Sequence, residues 1–495
     1  MEKIIKVLSG NPGVGKTKQF IEGIDQSKRY VYASPTRKLA QEVMQRLDEV
    51  GQSYLPIFTS QTNEVGSVIH QANKSLAAKD STILIITHKC LASLKPELLK
   101  GWELVVDEAP TVDDIKAVEV LAKEYETVIA PYVGDCDDNG GLIINMARLA
   151  EAYEIHAQGM DDAKNKRMQN KTLHMVLDAM LSPTKTAITT TRKNAKGKDV
   201  VLIQVEGYTD FTIHFGYASS VTLMGAHIEH SLLVKHAEKV GFRLHVDRQR
   251  VAKDGLPIIF PLIKDSEGSY VSKRQLLTMP DGSVATEWNA QCFGQHVLNK
   301  ALQMVGDTPA IFASHEWCKP DLPENVVETP FDVRGLNKWR DKTVSIHMLH
   351  GNPSPHELGP AKRIIEKMGL DLEEGRQALR WAREDDNVLQ FAHRTKVRDE
   401  DFEGHTWHIV TSDTQAKKLA HAFDGSCIID RRLMHYPPDR MPSEDQAKRK
   451  GERDDLASQA RTLKDAGMSI RDIAENLSIS KSKADRLIKN CPKTY

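Results

Sequence analysis

The chain opens with a short continuous apolar run, Lys3-Ile4-Ile5-Lys6-Val7-Leu8, which predicts a buried strand over 3–8. A glycine-bearing turn follows, and then KQFIEGI, whose apolar positions recur at helical spacing. The same rhythm returns downstream. YVYAS (30–34) leads into the helix-like PTRKLA, TILII (82–86) leads into Thr87-His88, and WELVVDE (102–108) closes on two acids. Strands alternating with helical segments predict a parallel α/β sheet. A second series begins with TPAIFAS (308–314) and continues with a buried strand inside FDVRGLNKWRDKTVSIHML (331–349). Between the two series, residues near 111–205 exceed what the first lobe needs and read as a partly helical insertion. The alternation in RLHVDRQRV and the turns at 253–255, 265–268 and 280–282 predict a β-rich connector over 241–295, with no role assigned.

The carboxy-terminal pattern differs. Residues 436–455 are polar and charged and read as a linker, the polar stretch beginning near 430. Helical periodicity then returns in LASQARTLKDAG, MSIRDIAENL and KSKADRLIKN. Gly467 closes the first helix, Ser469 with Asp472 has the capping-box spacing, and Ser480 caps the third. Three short helices over 456–495 predict a helix-turn-helix of the resolvase or transcription-regulator type, with 480–489 as recognition helix. Lys481, Ser482, Lys483 and Arg486 would then face DNA. From Arg440 onward 13 Lys/Arg stand against 9 Asp/Glu, an excess of four positive charges. This module reads a major groove that A-form RNA closes to a helix, which points to duplex DNA.

Composition narrows the picture. With 495 residues, 40% hydrophobic and 27% charged, the chain fits roughly three domains of an ordinary globular protein. No apolar run approaches the ~18 residues of a membrane span, and the apolar start is too short for an export signal. Six cysteines without a CxxC pair argue against a zinc ribbon or disulfide scaffold, so a cytoplasmic protein is expected. The net charge of −1 confines any nucleic-acid surface to local patches. Lys164-Asn165-Lys166-Arg167 and the basic stretch Thr189–Lys198 are two such places, the second a loop or hairpin suited to backbone phosphates or to wedging at a duplex junction.

The chemistry sits where strands end. Gly10-Asn11-Pro12-Gly13-Val14-Gly15-Lys16-Thr17 is a complete G-x-x-x-x-G-K-T phosphate loop between a strand and a helix. Its glycines let backbone N–H groups turn inward around phosphates, and the helix N-terminus adds partial positive charge. Lys16 would reach the β- and γ-phosphates of ATP and Thr17 would ligate Mg²⁺. Asp107, closing an apolar strand, is the second expected Mg²⁺ ligand, and Glu108 the base that orients or deprotonates the attacking water. Pro35, Thr36 and Arg37, with Thr87 and His88, put small polar and basic groups at strand ends, where a nucleic-acid backbone would lie.

In this order the segments resemble a superfamily 2 helicase. GNPGVGKT resembles motif I, SPTRKLAQE motif Ia, ITHKCL the later strand-contact motif, and VVDEAP the DEAD/DEAH box with Pro110 in fourth place. VTLMGAHIE (221–229) resembles motif III, with Gly225-Ala226-His227 in place of Ser-Ala-Thr. FDVRGLNKWRDKTVSIHML resembles motif V, giving Gly335 and Asn337 as further nucleotide contacts. QFAHRTKVR (390–398) resembles motif VI. The family has arginines four and seven positions after its glutamine. Gln390 and Arg394 fit, whereas Arg398 stands eight positions on, so Arg394 is expected ahead of Arg398 as the arginine finger. With nine residues before Gly10, no adenine-reading Q motif is expected.

The resemblance implies an α/β fold with two RecA-like parallel-sheet lobes. Lobe 1 spans 1–240 and holds the insertion, lobe 2 spans 296–435, and a small all-α helix-turn-helix follows. It implies ATP and Mg²⁺ as cofactors and DNA as partner, single-stranded or forked at the motor and duplex at the tail. Replication or recombination proteins are further candidate partners, no membrane is expected, and a phage-encoded version would work in the host cytoplasm. Two other readings stay open. One is an ATP-gated DNA-binding switch or loader without strand separation, the other a packaging-type ATPase.

Overall fold

The structure, a computed structural model, describes residues 3–57, 68–138, 140–161, 171–194, 196–249, 255–265, 271–331, 333, 338–351, 355–399, 401–437, 456–457, 459–464, 468–477 and 479–489. In chain order the first strands are Ile4–Gly10 (β1), Tyr30–Ser34 (β2), Leu55–Pro56 (β3), Ile83–Thr87 (β4) and Glu103–Asp107 (β5). Asp113–Leu121 (β6), Val133–Cys136 (β7), Leu142–Ile144 (β8), Lys185–Lys193 (β9) and Asp199–Tyr208 (β10) follow, then Ser220–Gly225 (β11) and Arg243–Gln249 (β12). The last six are Leu256–Ile263 (β13), Ala310–Ser314 (β14), Val326–Glu328 (β15), Val344–Met348 (β16), His405–Ser412 (β17) and Ile428–Ile429 (β18).

Two parallel sheets result. The first has the order β12-β1-β11-β5-β2-β4-β3, the second β15-β14-β16-β17-β13-β18. Their middle strands are apolar on both faces, as sheets covered by helices on each side require. Tyr30–Ser34 and Ala310–Ser314 are buried at every position. The register sets Ser9 against Gly225, Met224 against Asp107, and Ser34 against Thr87. One edge of the first sheet thereby gathers the ends of β1, β11, β5, β2 and β4.

The stretch expected as a separate β-rich connector is instead shared between the sheets. Arg243–Gln249 pairs in parallel with β1, and Leu256–Ile263 pairs in parallel with β17 and β18. The misreading has a physical cause. An edge strand with one wet face alternates apolar and polar residues just as a hairpin strand does, and β12 is such an edge, largely exposed.

The insertion is a body with its own core. β6, β10 and β9 form an antiparallel sheet and β7 pairs with β8. Helices Leu149–Asp161 and Lys171–Leu181 accompany them, and Leu173, Val176, Leu177, Ala187, Ile203 and Val205 pack beneath. The basic stretch at 189–198 runs up β9 and around a tight turn, where Asn194 Oδ1 accepts from Lys196 N and Lys198 N. Lys164–Arg167 lie outside the described residues.

A second excursion lies between β16 and β17. Helices Pro355–Lys367 and Leu372–Arg380 place Ala361, Ile364, Ile365, Met368 and Leu379 in the core of the first lobe. The buried carboxylate of Glu206 on β10 accepts from Arg363 of this excursion, with Nη2 at 2.6 Å. The two lobes are therefore bound together by apolar packing as well as across their cleft.

The chain divides into two compact units, Met1–Lys273 with His296–Tyr436, and Arg274–Gln295 with Pro437–Tyr495. In the second, residues 459–464 are helical, as are Ile470–Asn476 and Lys481–Lys489, around Ala460, Ile473, Ala474 and Ala484. Ser469 caps the middle helix by accepting from Asp472 N and donating to Asp472 Oδ2. Among the described residues no helix is long and apolar enough to cross a membrane.

Candidate functional site

The phosphate loop leaves β1 and turns through Gly13 (φ 89°) and Gly15 (φ 88°), left-handed positions that a side chain would strain. Lys16 opens the following helix, and its Nζ donates to the carbonyls of Gly10 (2.7 Å) and Asn11 (3.0 Å). Burial lowers its pKa, while the charges of Glu108 and Asp107 work the other way. Lys16 thus stands at the loop with two carboxylates facing it.

Asp107 ends β5, 5% exposed, and its Oδ2 accepts from the Tyr32 hydroxyl at 2.6 Å. Thr17 also hydrogen-bonds to Tyr32, so one phenol ties the two expected Mg²⁺ ligands together. A carboxylate beside a hydroxyl is a hard-oxygen set that suits Mg²⁺. Sequence reading missed Tyr32, because its partner lies 75 positions away and alternation in YVYAS marks it only as strand.

Burial first, and the charge of Glu108 second, push the Asp107 carboxyl up to about 7. A raised carboxyl is protonated below that value, and a proton there competes with metal. Mg²⁺ binding by the nucleotide-free protein is therefore expected to weaken roughly tenfold per pH unit below about 7 and to release a proton. Calorimetric Mg²⁺ titration in buffers of different ionisation enthalpy measures both, and a profile unchanged in Asp107→Asn would remove the assignment.

Glu108 adopts φ 61°, rare for a residue with a side chain, and its N–H is held by Met224 O at 2.6 Å. Its Oε1 accepts from Gln390 Nε2 of the second lobe at 3.3 Å. Gln390 sits on helix Asp386–Ala392, and its Oε1 accepts from Arg394 Nη2 at 3.2 Å. Arg394 is buried, 6% exposed. A polar chain therefore runs from Glu108 through Gln390 to Arg394, across the cleft.

Arg398 ends a 3-10 turn, Lys396–Arg398, and lies against the phosphate loop. A Cβ built on Gly13 would stand 2.7 Å from its Nε, which sets the guanidinium directly against the loop; it is the φ of 89° that calls for glycine at position 13. Burial, reinforced by Arg394 and Arg340, lowers the guanidinium to about 10. Of the two arginines, Arg398 is the one set on the loop and Arg394 the one bound to Gln390. Asn11 adds a second cross-cleft contact, its Nδ2 donating to Ala422 O at 2.8 Å.

Comparison with known proteins bears on this cleft. Residues 4–131 match the DEAD/DEAH box helicase family. The matched residues include the phosphate loop and the Asp107-Glu108 pair. The chain holds two parallel sheets, an arrangement consistent with two RecA-like lobes. No curated protein matches it. Among solved structures it is similar to Xpd4 of S. tokodaii, with 10% identity, 87% of this chain and 96% of that one covered, and a TM-score of 0.46. It is also similar to Mss116p bound to ssRNA and AMP-PNP (11% identity, coverage 99% and 83%, TM-score 0.34) and to S. cerevisiae Dbp5 bound to RNA and ADP BeF3 (9% identity, coverage 91% and 88%, TM-score 0.34).

Several of the expected contacts are occupied by local structure. Thr36 caps helix Arg37–Glu49 by accepting from Leu39 N, and Thr87 caps helix His88–Leu91 by accepting from Cys90 N. His88 is half-buried, with Nε2 hydrogen-bonded to the carbonyl of Asp107 at 2.9 Å. Pro35 is half-buried and Arg37 exposed. In the tail, Lys481, Ser482 and Lys483 are exposed on helix Lys481–Lys489. Gly335, Asn337 and the Arg486 side chain lie outside the described residues.

Proposed function

We propose that this protein is an ATP-dependent DNA helicase or translocase, with Mg²⁺-ATP bound between the lobes and an accessory DNA-binding tail. The observation that carries the reading is the Glu108–Gln390–Arg394 chain across the cleft, with Arg398 on the phosphate loop. Lys16 and the loop amides hold the phosphates, and Thr17 with Asp107 hold the metal. Glu108 directs the attacking water. Arg394 and Arg398 stabilise the charge that spreads over the leaving γ-phosphoryl group. Because acid and arginines belong to different lobes, turnover depends on closure, and hydrolysis relaxes it.

The track is proposed to cross the ends of the strands. Pro35, Thr36, Arg37, Thr87 and His88 serve the first lobe. On the second, His315, just past β14, stacks on Trp317 (5.6 Å) and packs on Phe331 (5.4 Å), while Lys273 Nζ lies 4.9 Å from the centroid of the Trp317 ring. Such a platform suits unpaired bases beside a phosphate backbone. The tail would contribute duplex binding through Lys481, Ser482, Lys483 and Arg486.

ATPase rates without nucleic acid and with single-stranded DNA, duplex DNA and RNA test this, with Glu108→Gln as the blank. Strong stimulation by DNA is expected. A flat response to all three would favour an ATP-gated switch. Deleting residues 450–495 is expected to weaken duplex binding at least about tenfold and to leave basal ATPase intact. Loss of basal ATPase in that deletion would make the tail part of the motor.

A further inference from the structure

After β11 the backbone turns at His227 (φ 50°) into a 3-10 turn, Ile228–His230. The turn brings together three side chains that the ATPase chemistry above does not use. One ligand atom each from His227, Glu229 and His230 lies within 4.8 Å of the other two. Glu229 is 8% exposed; its Oε2 accepts from Ser9 Oγ at 2.6 Å and its Oε1 has no hydrogen-bond partner. Arg248 Nε stands 3.5 Å from that oxygen, on a side chain 63% exposed. A buried carboxylate oxygen without a hydrogen bond is costly, and a bound cation removes the cost.

We propose that His227, Glu229 and His230 form a binding site for a divalent transition-metal ion of the zinc class. Two imidazoles and one carboxylate are a three-ligand set that this ion takes when a fourth position stays open. Ligand atoms around such an ion sit roughly 3.3 Å apart for bonds of ~2.0–2.1 Å. The donors must therefore close by up to about 1.5 Å from their spacing of at most 4.8 Å, and the exposed His230 ring has the room to turn. His227 also has a partner for its other ring nitrogen. Its Nε2–H donates to Asn11 Oδ1 at 3.2 Å, which leaves the lone pair of Nδ1 for the metal.

His227 and His230 line a cavity of about 710 Å³ between the lobes, with Lys417 and Lys418 also on its wall. Water or an anionic group fits there. The site would also touch the motor. Asn11 belongs to the phosphate loop and bonds Ala422 of the second lobe, so fixing His227 fixes a residue that senses both nucleotide and closure.

The test is a Co²⁺ titration of the untagged full chain, stripped of metal and held in excess Mg²⁺ so that the Asp107 site is filled. Wild type is expected to bind one equivalent, with visible d–d absorption that Zn²⁺ abolishes. His230→Asn and Glu229→Gln are each expected to lose the absorption, while Asp107→Asn retains it. His230 is exposed, so its replacement does not threaten the fold. Equal binding by wild type and His230→Asn, or a signal that vanishes with Asp107→Asn, would overturn the proposal. The readout does not depend on ATP turnover, so a protein that failed as a helicase could still pass.

Discussion

Glu108→Gln is expected to bind Mg²⁺-ATP nearly as the wild type does and to hydrolyse it roughly a hundred- to ten-thousand-fold more slowly. The residue is held at both ends: its backbone sits at φ 61° with its N–H bonded to Met224, and Gln390 reaches Oε1 from the second lobe. A residue held so closely contributes orientation as well as basicity. Glutamine keeps the shape and can still accept from Gln390, but it cannot take a proton from water. Binding should therefore survive while the chemical step fails. Equilibrium binding of ATP together with single-turnover hydrolysis separates the two. Hydrolysis within a few-fold of wild type would end the assignment of Glu108 as base.

The parts of this site that sequence makes legible are the local ones. A strand, a glycine turn and a helix run consecutively from Ile4 to Glu22, so the phosphate loop and the Asp107-Glu108 pair can be read without knowing the fold. What lies far apart in the chain cannot. Tyr32 joins Thr17 to Asp107 only once β2 and β5 pair. Helices Pro355–Lys367 and Leu372–Arg380 show an apolar face in sequence, yet nothing in that face names the first lobe as its partner. Strand β12 misleads because period-two alternation reports one wet face and is silent about which sheet the strand joins. The cap at Ser469 is legible for the opposite reason, since its whole geometry lies between Ser469 and Asp472.

Arg398→Ala and Arg394→Ala are both expected to lower turnover roughly a thousandfold or more with nucleotide binding changed only a few-fold, and to do so by different routes. Spacing from Gln390 ranks Arg394 first. The structure puts Arg398 against Gly13 of the phosphate loop and ties Arg394 to Gln390. Removing Arg398 takes away the guanidinium on the loop itself, and lysine should not restore it, because a single ammonium cannot present the same fork of donors. Removing Arg394 also releases Gln390, and with it the bond to Glu108. A double-mutant cycle resolves the two routes. Gln390→Ala combined with Arg394→Ala should cost much less than the product of the single losses, since both break one chain. Gln390→Ala combined with Arg398→Ala should come closer to multiplying, as independent contacts do. If Arg398→Ala hydrolysed ATP at the wild-type rate, its place on the loop would be packing alone, and the spacing rule would have chosen the right arginine.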